Sequence, residues 1–202
     1  MQIALPEMNV AATLVLDAEN PLSEAQFLAF CEANRDVKIE RSARGEIVIV
    51  PPAGGESDYR NADAISQLFS WARKSRRGKG FGATALFQLS DGSALSPDAA
   101  WLSKERLSKL TPEQRRGFMP VCPEFVIEVM SPSDRLSVAQ QKMRTWIANG
   151  AQLGWLIDGD KMRVFVYRGS GEVQIVTDDH LDGEGPVEGF TMDLTEMWEG
   201  IA

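Results

Sequence analysis

One histidine, His180, stands in 202 residues. That scarcity excludes a metal centre built on several imidazoles, and it excludes a Ser-His-Asp triad unless His180 itself serves. The histidine sits among Asp178, Asp179 and Asp182, which reads as an exposed acidic loop and argues against catalysis there. Cysteine is almost as rare. Cys31 and Cys122 allow one bridge but no disulfide framework, so a reducing, cytoplasmic setting is the simpler expectation. No run approaches the ~18 apolar residues of a membrane span, so no membrane partner is expected. The opening segment, Met1 to Val10, lacks a basic start followed by an apolar stretch and does not read as a signal peptide. There is no internal repeat, no long linker and no zinc-finger or helix-turn-helix pattern. Positive charge is in deficit: the net charge of −8 argues against broad nonspecific adhesion to nucleic acid.

The rest of the composition is that of an ordinary globular chain. It is 44% hydrophobic and 25% charged, enough for a sizeable core in a single domain over residues 1–202. Basic charge is nonetheless concentrated locally, with Arg73, Lys74, Arg76, Arg77 and Lys79 close together. Two readings remain open: cations at a helix C-terminus, which the helix dipole favours, or a patch that faces phosphate.

The periodicities predict a mixed order of elements. Ser23 is a plausible N-cap for a helix with Phe27, Leu28 and Cys31 on one side. Val37 and Ile39 alternate with polar residues, and Ile47 to Val50 is a β-branched run. With Arg44-Gly45 between them they predict a hairpin ended by Pro51-Pro52. Asn61 to Lys74 predicts a helix, stopped by Gly78-Lys79-Gly80. Strands are predicted over 82–89 and 98–102, and a short helix over 103–110. A second helix start follows at Thr111-Pro112-Glu113-Gln114. After a nearly continuous apolar strand at 124–130 come a helix over 137–149 and strands at 153–157, 161–167 and 172–177. The tail ends in a short helix near Leu194 to Trp198. This order predicts an α/β fold, a mixed sheet with helices packed on it.

Two segments carry the chemistry. Ser96-Pro97-Asp98 and Phe125-Val126-Ile127-Glu128-Val129-Met130 each place a carboxylate in or beside a buried strand. A buried carboxylate is costly unless it is paired, hydrogen-bonded or bound to a metal. Two such acids suggest a shared divalent cation, and hence chemistry on phosphate. Bland readings exist for each residue. Asp98 after Pro97 suits a turn or strand cap. Glu128 suits an ion pair with Arg163 or Arg144. Lys142 alone suits a solvated helix lysine. The five tryptophans, Trp71, Trp101, Trp146, Trp155 and Trp198, read as core or interface aromatics rather than platforms for bases.

From Glu40 onward the chain resembles the Uma2 family, restriction-endonuclease-like proteins of the DUF820 type. The matching pieces, over roughly residues 37–198, are Glu40, Gly45-Glu46 and Pro51-Pro52; Tyr59-Arg60-Asn61 opening a helix; Ser96-Pro97-Asp98; Cys122 to Glu128; Ser131-Pro132-Ser133-Asp134; Lys142, Gly150 and Leu153 to Asp158; Val164 to Tyr167; and Gly189-Phe190. That family resembles the PD-(D/E)XK nuclease superfamily. The resemblance implies a restriction-endonuclease-like fold and a metal-dependent phosphodiesterase site, with Asp98 as the first acid and Glu128 as the second. The superfamily pattern expects lysine two residues after that glutamate, where this chain has Met130. Lys142, in the following helix, then stands in for it. Asn61 replaces the histidine that many members carry.

Phosphodiester hydrolysis needs an activated water and stabilisation of growing negative charge. Mg²⁺ or Mn²⁺ supplies both. Asp98 and Glu128 would be anionic ligands, with the Val129 carbonyl as a third. Lys142 would orient water or hold the scissile phosphate. Either Glu40 or Glu46 would complete the shell, and Glu46 is preferred because it adjoins Gly45 at the hairpin. The expected function is a Mg²⁺-dependent DNA endonuclease, acting as a homodimer because duplex cleavage needs two centres. The alternative is an inactive nuclease-fold binding module. A weaker third reading is an assembly protein that sticks through apolar edges such as Leu153 to Asp158.

Overall fold

The computed structural model describes residues 21–201 and the backbone of residues 12–14. The segment Met1 to Val10 therefore lies outside the described residues. Strand β1 (Ala12–Leu14) comes first, followed by helix α1 (Glu24–Ala33). The α1 start is a capping box. The Ser23 hydroxyl accepts from the Gln26 N–H, and the Gln26 side chain accepts from the Ser23 N–H. Two otherwise unpartnered donors are thereby satisfied. Phe27 and Phe30 are its buried residues. The predicted hairpin is β2 (Lys38–Arg41) and β3 (Ile47–Val50), which turn at Gly45 with φ of +83°.

Helix α2 runs over Gly55–Ser75, so it starts well before Asn61, and Tyr59-Arg60-Asn61 lies within it rather than opening it. Glu56 and Asp58 favour the early start because acids suit a helix N-terminus. Arg60 then anchors the helix. It is buried, donates to the Met197 carbonyl, and pairs with Glu56 and Asp160.

A second correction follows at once. The Gly78-Lys79-Gly80 stretch is a strand, β4 (Gly78–Gly82), and only β5 (Phe87–Gln88) forms near the end of the predicted 82–89 strand. The glycines of β4 face α2. A Cβ on Gly78 would lie 2.6 Å from the Trp101 ring, and one on Gly80 would lie 2.8 Å from the Phe69 ring. Helix α2 and the core rings thus rest on bare backbone. The glycines are in place for close packing as well as for turning.

The chain continues through β6 (Ala94–Leu95), β7 (Ala99–Ser103), α3 (Lys104–Ser108) and α4 (Pro112–Arg116). The Thr111–Gln114 capping box and the proline at the α4 start are as expected. Next come β8 (Phe125–Val129), α5 (Leu136–Ala148), β9 (Leu153–Asp158), β10 (Arg163–Arg168) and β11 (Val173–Val176). The chain closes with β12 (His180–Asp182), β13 (Thr191–Asp193) and α6 (Thr195–Glu199). His180 is exposed, but it pairs with Asp193 in a two-stranded ribbon instead of lying in a loop.

The strands form a sheet of order β1-β3-β2-β6-β5, a sheet of order β11-β10-β9-β8-β7-β4, and the β12-β13 ribbon. The larger sheet is mixed: β8 and β9 are parallel, joined by α5, and its other pairs are antiparallel. Helix α2 packs on β4, β7 and β8, and α5 packs on β8, β9 and β10. Strand periodicity divides β8 between the two faces. Phe125, Ile127 and Val129 join the core under α2, whereas Val126 joins the core under α5. Glu128 shares the α5 side with Val126.

Leu153 to Asp158 is not an adhesive edge. As β9 it is buried along its whole length, with β8 on one side and β10 on the other. Trp101, Trp146 and Trp155 are core residues, and Trp71 and Trp198 pack against the core. Both cysteines are free, and burial pushes their thiols up to about 11 for Cys31 and about 12 for Cys122. Among the described residues no helix is long and apolar enough to cross a membrane.

Candidate active site

The two sheets meet where the segment Ser96-Pro97-Asp98 passes from β6 to β7. Period-two geometry puts Lys38 and Glu40 of β2 on the same side of the smaller sheet. Ile39 packs on the opposite side with Phe27, and Arg41 stacks over the Phe27 ring at 4.6 Å. Glu40 is buried. Its Oε1 accepts from the Ser96 N–H at 3.0 Å and from Lys142 Nζ at 2.9 Å.

Lys142 links both sheets. Its ammonium also donates to the Ser96 carbonyl at 3.0 Å, and it lies 3.0 Å from Glu128 Oε1 and 3.1 Å from Oε2. Lys142 is therefore not a solvated helix lysine. Trp146 lies four residues further along α5 and so shares its face. Its indole N–H donates to Glu128 Oε1 at 2.8 Å. Neither arginine considered for Glu128 pairs with it. Arg163 pairs with Asp158 instead.

Asp98 sits where the β7–β8 ladder stops. The last pair is Ala99 with Ile127, and beyond it the Val129 N–H donates to Asp98 Oδ2 at 2.8 Å. The carboxylate thus takes the place of the next backbone acceptor. Lys38 Nζ lies 3.9 Å from Asp98 Oδ1. The assembled cluster is three carboxylates, Glu40, Asp98 and Glu128, around two ammonium groups, Lys38 and Lys142.

Glu46 does not join it. The hairpin register places Glu46 at the turn end, about 7 Å along the strand from Glu40. Its side chain accepts from Ser42 and Arg44. Asn61 also stays apart: no hydrogen bond ties it to the cluster, and its Oδ1 is buried without a partner among the described residues. The sequence reading gave too little weight to Glu40 and missed Lys38 and Trp146. The alternation Lys38-Ile39-Glu40 and the four-residue step from Lys142 to Trp146 were the available signals.

Burial pushes the Glu128 carboxyl up to about 7; Lys142 opposes that rise, and Asp98 and Glu40 add to it. Burial alone would lower Lys142, but Glu128, Glu40 and Asp98 hold it above its ordinary value. A carboxyl that binds its proton more tightly when folded favours folding below its unfolded pKa, and this advantage fades as pH rises through the folded value. For Glu128 the window runs from 4.5 to about 7. Across it, metal-free wild type is expected to lose stability relative to Glu128→Gln, which does not titrate. Thermal unfolding in chelator at several pH values reads this difference. A difference that stays flat with pH would mean that the carboxyl is not raised.

Comparison with known proteins places the chain in a family. The Uma2 family model, described as "Putative restriction endonuclease", matches residues 24–195. The chain belongs to the Uma2 family. The match takes in α1 and so starts ahead of the expected residue 37. The Uma2 chain is similar in fold to the crystal structure of "a putative nuclease belonging to DUF820" from Anabaena variabilis. That likeness has a TM-score of 0.70 at 22% identity, over 89% of this chain and 98% of the other. A DrdV–DNA complex matches 57% of this chain and 9% of that chain, with a TM-score of 0.38 and 15% identity, a likeness too slight to bear on the fold. No curated protein matches the chain.

Proposed function

We propose that this Uma2 chain is a single-domain, divalent-metal-dependent DNA endonuclease whose centre is Asp98, Glu128 and Lys142. The observation that carries the reading is the Lys142 ammonium held between Glu40 and Glu128 at 2.9 and 3.0 Å, beside strand β8, whose Val129 N–H binds Asp98. An acid pair with an adjacent, permanently charged lysine is the donor set that hydrolysis of a phosphodiester calls for.

The residues fit a hard cation. Asp98 and Glu128 offer carboxylate oxygen. A strand residue's N–H and C=O leave on the same side, so the Val129 carbonyl is directed towards Asp98 as well. Mg²⁺ needs only one or two carboxylates because it keeps several waters. Among the described residues no group of three or more His, Cys, Asp or Glu could hold a metal, so the acid set at this site is the pair Asp98 and Glu128. Burial is the main cause of the raised Glu128 carboxyl, and a cation bound beside it would favour its charged form. Mg²⁺ or Mn²⁺, when bound, would lower the pKa of a water and neutralise charge on the phosphate.

The remaining roles belong to the chain. The Val129 N–H fixes Asp98, and the Trp146 indole fixes one oxygen of Glu128. Glu40 keeps Lys142 charged and aimed. The three Lys142 N–H groups go to Glu40, Glu128 and the Ser96 carbonyl, so Lys142 acts on the scissile phosphate or the attacking water through its charge, or by exchanging one of these partners for it. Lys38 adds positive charge beside Asp98. Duplex cleavage calls for two such centres, so we propose a homodimer, and the free cysteines suit a reducing, cytoplasmic setting.

Cleavage of supercoiled plasmid with Mg²⁺ or Mn²⁺ tests the reading. Wild type is expected to nick or linearise the DNA, and chelator or Glu128→Gln to stop it. Absence of cleavage together with no Mn²⁺ binding by calorimetry would overturn it in favour of an inactive nuclease-fold module. Met130, in the superfamily's lysine position, is the feature that favours this second reading.

A further inference from the structure

Two clefts, of about 520 and 450 Å³, flank the edge strand β4. Arg73, Arg76, Lys79 and Lys104 line the first, and Lys79, Lys104 and Arg115 line the second. These five cations are exposed. No Asp or Glu lines either cleft, although the chain as a whole carries a charge of −8.

The helix dipole accounts for only part of this. Arg73 lies in the last turn of α2, but Lys79, Lys104 and Arg115 come from β4, α3 and α4. A lysine that guards a sheet edge would explain Lys79 alone. Arg76 is one of two non-glycine residues with positive φ among those described, at a helix end where glycine is the usual occupant. Arg77, by contrast, is engaged within the protein: it stacks over Trp71 and donates to the Glu188 carbonyl. The five lining cations have no carboxylate partner among the described residues.

The strip also has a place relative to the acid cluster. Lys79 pairs with Leu102 across the β4–β7 ladder. Leu102 lies four residues beyond Asp98, roughly 13 Å of extended strand, and Lys104 follows at the start of α3. The ~13 Å of duplex axis between Asp98 and Leu102 carries on the order of eight phosphate charges.

We infer that the β4 edge is a docking track for the phosphate backbone of duplex DNA, formed by Arg73, Arg76, Lys79, Lys104 and Arg115. The choice of this polyanion rests on the nuclease reading of the acid cluster. The track meets the part of the duplex that carries its charge, the phosphate backbone. It also reconciles the acidic net charge with DNA handling: while the chain as a whole repels duplex, the β4 edge offers it a strip free of lining carboxylates.

Fluorescence anisotropy with a labelled duplex of arbitrary sequence, in chelator, tests the track apart from cleavage. The triple variant Arg73→Ala/Arg76→Ala/Lys79→Ala is expected to weaken binding at least tenfold. It also lowers the slope of log affinity against log salt by about 2 to 3, since each phosphate contact contributes ~0.9. Lys104→Ala/Arg115→Ala lowers that slope by about 2. A control pair of exposed cations elsewhere, Arg35→Ala/Lys161→Ala, leaves it unchanged. Equal slopes for wild type and the triple variant, or no duplex binding by wild type at low salt, overturn the inference. So does binding that appears on phosphatidylserine vesicles and not on duplex. If the slope falls as expected but plasmid cleavage is absent, the track stands and the nuclease reading fails.

Discussion

Lys142→Met is expected to cost about 3 kcal/mol of stability and to lower cleavage by on the order of 10²-fold or more. The Lys142 side chain is 22% exposed, while the Glu40 and Glu128 side chains it separates are 7% and 10% exposed. A buried ion pair contributes little net stability, because desolvation offsets attraction. Removing one partner is another matter. Two carboxylates would then face each other beside the Ser96 carbonyl with no cation between them. The double variant Lys142→Met/Glu128→Gln removes one of the two uncompensated charges along with the cation and leaves Glu40 with the Ser96 N–H. It is expected to regain part of the stability and none of the activity. Urea unfolding of the single and double variants, with single-turnover cleavage at a temperature where each is folded, separates the two effects. If the single variant lost less than about 1 kcal/mol, the ammonium would be a surface group and the centre would need another cation.

Gly78→Ala is expected to destabilise the protein by about 3 kcal/mol, a large value for adding one methyl. The new Cβ would lie 2.1 Å from the Leu102 carbonyl oxygen and 2.6 Å from two atoms of the Trp101 ring. The carbonyl is backbone of β7, next to the Gly78–Ser103 pair, and cannot shift without opening that ladder. Trp101 is 3% exposed and packed against Trp71. Gly55→Ala is the matched control. Nothing lies within 4 Å of its added methyl, and it sits in the first turn of α2. Alanine there is expected to raise stability by about 0.5 kcal/mol through helix propensity. A Gly78→Ala midpoint in urea equal to wild type would mean that the α2 face of β4 is looser than its packing implies.

Glu128 was legible because it interrupts an apolar, strand-like run, where a charge is hard to explain except by a partner, and Asp98 because it follows Pro97 at the start of such a run. The N-caps at Ser23 and Thr111 were legible for a local reason: each hydroxyl meets a backbone N–H three residues on. Glu40 was undervalued because its partners, Ser96 and Lys142, are distant in sequence and meet it only when the two sheets join. Glu46 attracted attention through Gly45, but closeness to a turn says nothing about which groups the turn itself will satisfy. The glycines of β4 misled most. Read locally they break a helix. In the fold they form one face of an edge strand, a meaning supplied by Trp101, Phe69 and α2. His180 likewise takes a strand because residues 191–193, further along the chain, offer it one.

Glu128 belongs to β8 and Lys142 to α5, so the reach of the ammonium is set by how one helix is seated. That seat includes Gly154, where an added Cβ would lie 2.4 Å from Met143 Cε and 3.3 Å from Val126 Cγ2. The ion pair is therefore an adjustable joint rather than a rigid casting: a methyl added in this uncharged layer presses on α5 and leaves every charged residue of the cluster unaltered.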